Sequence, residues 1–293
     1  MFGTTKNRHV VRNTTLVAIA ATMLTAGLAG WPSSGTAAAA VAAHPAVATP
    51  ISVGSASVNV LCEGTQSSKP TIILFAGEPD PLTRFASLQK ALSKTTRVCS
   101  YDRLGEGKSS KPTGAQTLAD SAVVLDGVLH AEKIKGKVVV VGHSLGGLIA
   151  ATFAHRYPQR VAGVVLLDAT APSVVGSIDA LIPATATGIA AGVRQEVGAF
   201  SVASTNPEML VSHGEPVGTL GNIPLTVVQH GKPIYAGVPL YGAQLQTIWT
   251  AAQHQLAALS TNSKFVTATK SGHYIYEDQH SLAIKLIENA TTL

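Results

Sequence analysis

The sequence predicts an α/β fold, a largely parallel sheet with helices on both faces. From residue 51 onward, short β-branched runs alternate with longer amphipathic stretches, the rhythm of βα units. Several runs are unbroken apolar segments, as strands covered on both faces are. The chain has 293 residues, 46% apolar and 13% charged, enough to build one such sheet as a single domain.

Residues 1–43 read differently from the rest. Lys6, Arg8 and Arg12 precede an apolar run from Leu16 to Gly30, then Pro32, Ser33, Ser34 and an alanine-rich stretch from Ala37 to Ala43. This is the basic, apolar and small-residue order of a secretory signal and its cleavage region. The run holds 15 residues, short of the roughly 20 that a spanning helix needs, which weighs against an uncleaved membrane anchor. We therefore expect a signal over 1–43, a flexible Ala/Pro leader over 44–50, and a domain over 51–293. The mature protein would be secreted, periplasmic or in the cell envelope, with no stable membrane span.

The basic balance does not describe the domain. The first carboxylate is Glu63, and removing the three N-terminal cations from the net charge of +5 leaves +2. With 5% aromatic residues and no basic stripe among them, a nucleic-acid partner is excluded. Export makes Cys62 and Cys99 meaningful. They are the only cysteines, each at the end of a strand-like run, and an oxidising compartment favours their disulfide over a pair of buried thiols.

Strands are expected at Ser57–Leu61, Thr71–Phe75, Arg97–Tyr101, Lys137–Val141, Val161–Leu167, Leu225–Val228 and Phe265–Ala268. Helices are expected at Leu118–Ala131, Leu145–Tyr157 and about Ser281–Ala290. Residues 172–222 interrupt the rhythm with some fifty residues rich in Ala, Gly, Thr and Ser. An insertion of this length in a regular α/β pattern reads as a cap rather than a surface excursion. Ile178, Leu181, Ile182, Ile189, Val193 and Val197 supply its apolar faces.

The chemistry is concentrated in KVVVVGHSLGG, residues 137–147: a buried strand, a tight turn through Gly142, His143, Ser144, Leu145 and Gly146, then a helix. This is a GxSxG nucleophile elbow in its proper context. The turn lifts Ser144 to the sheet edge, and the helix N-terminus favours negative charge developing there. His143 reads as packing beside the elbow. For the base, His273 in TKSGHYIY follows the last strand signal and so reaches the same edge. The remaining histidines, His230 among them, are assigned to helix surfaces, loops or the leader.

No Asp or Glu occurs from Pro216 to Tyr276, so the position after the seventh strand, where such sites often place their acid, is empty. Asp168, ending VAGVVLLD, is the candidate acid, ahead of Asp179 or a site without one. The oxyanion donors are expected to be the N–H groups of Leu145 and of Glu78, in the loop FAGEPDP. The Glu78 carboxylate is expected to turn away. RLGEGKSS, residues 103–110, looks like the tail of a phosphate-binding loop, but Asp102 occupies its first glycine position and removes that reading.

The ordered motifs CxG (Cys62–Gly64), YDRxGxGxS (Tyr101–Ser109), GHSLGG (Gly142–Gly147), LLDA (Leu166–Ala169) and SGH (Ser271–His273) resemble bacterial members of the α/β-hydrolase superfamily. The resemblance implies an eight-stranded, mostly parallel sheet with a helical cap after the sixth strand. It also implies acyl-enzyme chemistry, and with deacylation by water neither metal nor organic cofactor is expected. Where many members have His-Gly in the oxyanion loop, this chain has Ala76 and Gly77. Ser144 argues against the dehalogenases and epoxide hydrolases of this fold, which use an aspartate nucleophile. The function expected is that of an exported serine esterase acting on a small-molecule substrate, a small or moderately apolar ester. A cofactor-free haloperoxidase or perhydrolase with the same triad, and a ligand-binding protein on a hydrolase scaffold, are the alternatives.

Overall fold

A computed structural model describes residues 47–292. The expected signal over 1–43 and residues 44–46 of the leader lie outside the described residues. Eight strands form one sheet: β1 (Thr49–Val53), β2 (Ala56–Glu63), β3 (Thr71–Phe75), β4 (Val98–Tyr101), β5 (Val138–His143), β6 (Val161–Leu167), β7 (Leu225–His230) and β8 (Ser263–Ala268). Their spatial order is β1-β2-β4-β3-β5-β6-β7-β8, antiparallel at β1/β2 and β2/β4 and parallel thereafter. The helices are α1 (Ala86–Leu92), α2 (Leu118–Ala131), α3 (Leu145–Arg156), α4 (Ser173–Leu181), α5 (Gly188–Gly198), α6 (Gly242–Ala257), α7 (Ile275–Asp278) and α8 (His280–Ala290).

The valine run of β5 shows why the central strands carry no polar alternation. Val138 and Val140 pack into the core beneath α2, α3 and α6, whereas Val139 and Val141 pack into the core beneath α1 and α8. Ile72 and Leu74 of β3, and Val165 and Leu167 of β6, follow the same two-residue period to the second core. Each fully buried side chain of this kind contributes on the order of 1.5–3 kcal/mol. Helix α2 starts on a capping box in which Thr117 Oγ1 accepts the Asp120 N–H and the Thr117 N–H donates back to Asp120.

The first strand corrects the expected leader. Thr49 and Pro50 belong to β1, which pairs Thr49 with Val60 and Val53 with Ala56. As an exposed edge strand with a proline at its second position, it lacks the apolar run that marks the other strands. Cys62 and Cys99 stand opposite each other in the β2/β4 register and are joined by a disulfide.

The insertion after β6 is helical only in its first part. Helices α4 and α5 lead into two single 3₁₀ turns, Ala199–Ser201 and Ala203–Thr205, and then into irregular chain. Ile178 and Ile182 are buried and Val193 and Val197 half-buried, as their spacing predicts. Ile189 is 60% exposed, because the inward stripe of α5 passes through Ala190, Val193 and Val197 instead. Among the described residues no helix is long and apolar enough to cross a membrane.

Candidate active site

The parallel strands deliver their C-terminal ends to one edge, the usual place for a ligand crevice in an open α/β sheet. The loop after β3 brings Gly77 and Glu78, β5 brings Ser144, β6 brings Asp168, β7 ends in His230 and the loop after β8 brings His273.

Ser144 sits at φ 50°, ψ −126°, between β5 and α3, a strained conformation that surrounding packing must hold. The packing is backbone on backbone. A Cβ on Gly142 would lie 2.3 Å from the Gly146 carbonyl oxygen, and one on Gly146 2.3 Å from that of Ala76. The Ser144 carbonyl accepts from the Thr170 N–H at 3.0 Å, which ties the elbow to the segment carrying Asp168.

Asp168 is fully buried and takes four donors. The His273 ring Nδ1 meets Oδ2 at 2.7 Å, and the His230 ring Nδ1 meets the same oxygen at 2.7 Å. Oδ1 accepts from the His230 backbone N–H and from Trp249 Nε1, both at 3.0 Å. Burial alone would raise the carboxyl pKa. The hydrogen bonds and charges of the two imidazoles outweigh it and hold Asp168 well below the usual carboxylate range. Asp179, the other candidate acid, pairs with Arg194 at 2.8 Å within the cap.

His273 and Ser144 line one cavity of about 460 Å³, together with Glu78, Thr170, Val174, Trp249, the cap residues Val193, Glu196, Val197 and Phe200, and Ile234 and Tyr235 from the loop after β7. Ser144 Oγ lies 3.5 Å from Thr170 Oγ1, and among the described residues no hydrogen bond joins it to His273. Such bonds are often long in sites without substrate and tighten when it binds. His143 packs beside the elbow as its sequence position suggests. Its Nε2–H donates to the His273 carbonyl at 3.0 Å, and its ring lies 4.4 Å from that of His273. Burial, and then the neighbouring His273, lower its proton affinity well below the ordinary histidine value.

Gly77 approaches Ser144 so closely that a Cβ there would lie 3.0 Å from Ser144 Cβ. Among the described residues neither the Leu145 nor the Glu78 N–H has a protein acceptor. Glu78 itself lines the cavity. Burial, then the charges of Glu208 and Glu106, push its carboxyl pKa up to about 7. Behind this loop, Arg103 donates to the carbonyls of Ala76 and Gly77 and pairs with Glu208 at 2.8 Å, both side chains being buried. Asp102 accepts from the N–H groups of Leu82 and Lys108 and from Asn59 Nδ2, a structural turn in place of a phosphate loop.

Sequence reading missed His230. The expected strand stopped at Val228, whereas β7 runs two residues further and carries His230 to the edge as its last residue. The signal was the alternation itself, which continues through Val228 to His230. Trp249 and Gln246 project from α6, where nothing local marks them out.

A strained serine between strand and helix, with a histidine–aspartate pair at the same sheet edge, defines the class of α/β-hydrolase folds. A family model described as alpha/beta hydrolase fold matches residues 70–218, and the chain belongs to this family. Among relatives, an uncharacterized protein of Mycobacterium tuberculosis is 35% identical over 102 residues, which are 35% of this chain and 30% of that protein. The 2-(acetamidomethylene)succinate hydrolase of Mesorhizobium japonicum is 30% identical over 144 residues, 49% of this chain and 50% of that one. The chain thus matches half or less of the length of these two relatives. Similar solved structures include an enol-lactonase from Burkholderia xenovorans, with TM-score 0.62 and 21% identity over 84% of this chain and 100% of that one. A thermophilic esterase from Thermogutta terrifontis has TM-score 0.61 and 20% identity, covering 83% and 97%.

Proposed function

We propose that the chain is an exported serine hydrolase that cleaves small or moderately apolar carboxylic esters through an acyl-enzyme. The observation that carries this reading is the 2.7 Å bond from His273 to buried Asp168 beside a serine at an elbow conformation in the same cavity. Ser144 Oγ attacks the ester carbonyl while His273 takes its proton and passes it to the leaving alcohol. Asp168 fixes the His273 tautomer and stabilises the imidazolium. The Leu145 and Glu78 N–H groups hold the oxyanion, and water then resolves the acyl-enzyme.

The apolar walls contributed by Val193, Val197, Phe200 and Ile234 support an apolar acyl or alcohol group. Export is supported by the N-terminal residue pattern and by the Cys62–Cys99 disulfide. Ser144→Ala is expected to abolish turnover of a short p-nitrophenyl ester and labelling by a fluorophosphonate. Labelling retained in that variant would place the nucleophile elsewhere.

A further inference from the structure

His230 has no part in the reaction as written above, yet it is bound to the acid as closely as the base is. Its ring is 2% exposed and shares Asp168 Oδ2 with His273, each Nδ1 at 2.7 Å. On its far side Nε2 faces the Gln246 amide, whose Nε2 lies at 2.8 Å and Oε1 at 3.1 Å. A primary amide serves either charge state of such a ring, its NH₂ donating to a neutral imidazole and its carbonyl accepting from a protonated one. His230 is therefore built to gain a proton without orphaning a buried polar atom.

We propose that His230 is a positioning residue that divides the negative charge of Asp168 with His273, so that a His–Asp–His cluster sets the acid limb of the reaction. The proposal rests on the Ser144–His273–Asp168 reading. While His230 is neutral it donates one hydrogen bond and leaves the carboxylate charge to the His273 imidazolium. Once protonated, it puts a second cation on the same oxygen and opposes a proton on His273. The two rings then titrate as a pair. Burial resists charge on His230, but the hydrogen bond and charge of Asp168, with Gln246, outweigh that and raise its proton affinity.

The surroundings leave this coupling intact. From α6 come only the uncharged Gln246 and Trp249. Tyr235, after β7, is kept neutral by burial and then by the Asp168 charge. His143, whose ring packs at a tilt against that of His273, is held neutral by burial. Lys232 is exposed and lies 3.7 Å from Asp278.

The test is His230→Asn, whose amide nitrogen takes the place of Nδ1 as donor to Asp168 but cannot gain a proton. The pH dependence of kcat/KM for a short p-nitrophenyl ester is measured for both proteins, with ¹⁵N NMR titration of their imidazoles. In the native chain the His230 and His273 resonances are expected to follow two coupled steps. In the variant one step remains, and the acid limb of kcat/KM moves up by about one pH unit, a roughly ten-fold loss at a fixed pH on that limb.

A merely structural His230 would lower the plateau or the melting temperature without moving the limb, and superimposable limbs overturn the proposal. If the variant fails to fold, the native titration decides alone: a His230 ring neutral down to pH 4, or two independent single-step curves, overturns it. If the native chain turns over no ester, the catalytic reading fails, while the NMR titration still decides the charge division.

Discussion

At the scale of single residues, Glu78 is the most consequential side chain on the cavity wall. It is proposed to offer its backbone N–H to the oxyanion, and its carboxyl is carried by the same cavity-lining residue. With a pKa near 7 that carboxyl is largely neutral in mild acid and ionised in mild base. Ionisation places a negative charge beside a developing oxyanion, so kcat/KM is expected to fall as pH rises through about 7. Glu78→Gln removes the charge and keeps the backbone N–H, and the fall in kcat/KM through about 7 is expected to be absent from its pH-rate profile. The stability sign follows from the same shift. The unfolded carboxyl ionises first, from its ordinary value of 4.5, so the native state loses stability as pH rises from there to about 7.

At the scale of elements, Arg103 and Glu208 join three segments that are far apart in sequence. Arg103, just after β4, holds the carbonyls of Ala76 and Gly77 after β3, and Glu208 reaches it from the returning chain of the cap. Removing one partner of a buried pair leaves an uncompensated charge, which costs about 3–5 kcal/mol. Glu208→Gln, which keeps hydrogen-bonding capacity, is expected at the low end of that range in urea unfolding. Ester turnover should fall with it, because the same guanidinium holds the Ala76 and Gly77 carbonyls of the loop proposed to bind the oxyanion. Such links explain what was legible in the sequence. The Ser144 elbow is written in contiguous residues, and His273 follows from the strand before it. Asp168 was visible because so few carboxylates compete for the role. His230, Trp249 and Glu208 acquire their partners only when separate elements meet, and β1, an edge strand with a proline at its second position, carries no apolar run to announce it.

At the scale of the whole molecule, the sheet is fastened at one side by the Cys62–Cys99 bond, which closes a loop with a sequence separation of 37. Chain entropy alone assigns such a crosslink about 4 kcal/mol. For a domain of this size that corresponds to a fall of roughly 8–16 °C in Tm. Calorimetry of a Cys62→Ala, Cys99→Ala double variant is expected to show it, with ester turnover at low temperature largely retained, since the bond lies away from the cavity-lining residues. The interlocked glycines at the elbow carry a different consequence, for how this scaffold changes over generations. A contact made of main chain alone has no side chain to trade for another, so Gly142 and Gly146 offer selection nothing to vary. The half-buried positions of α5 that face the cavity can be exchanged one at a time without disturbing that contact. Specificity in this molecule is thus free to drift in the cap while the turn beneath it stands still.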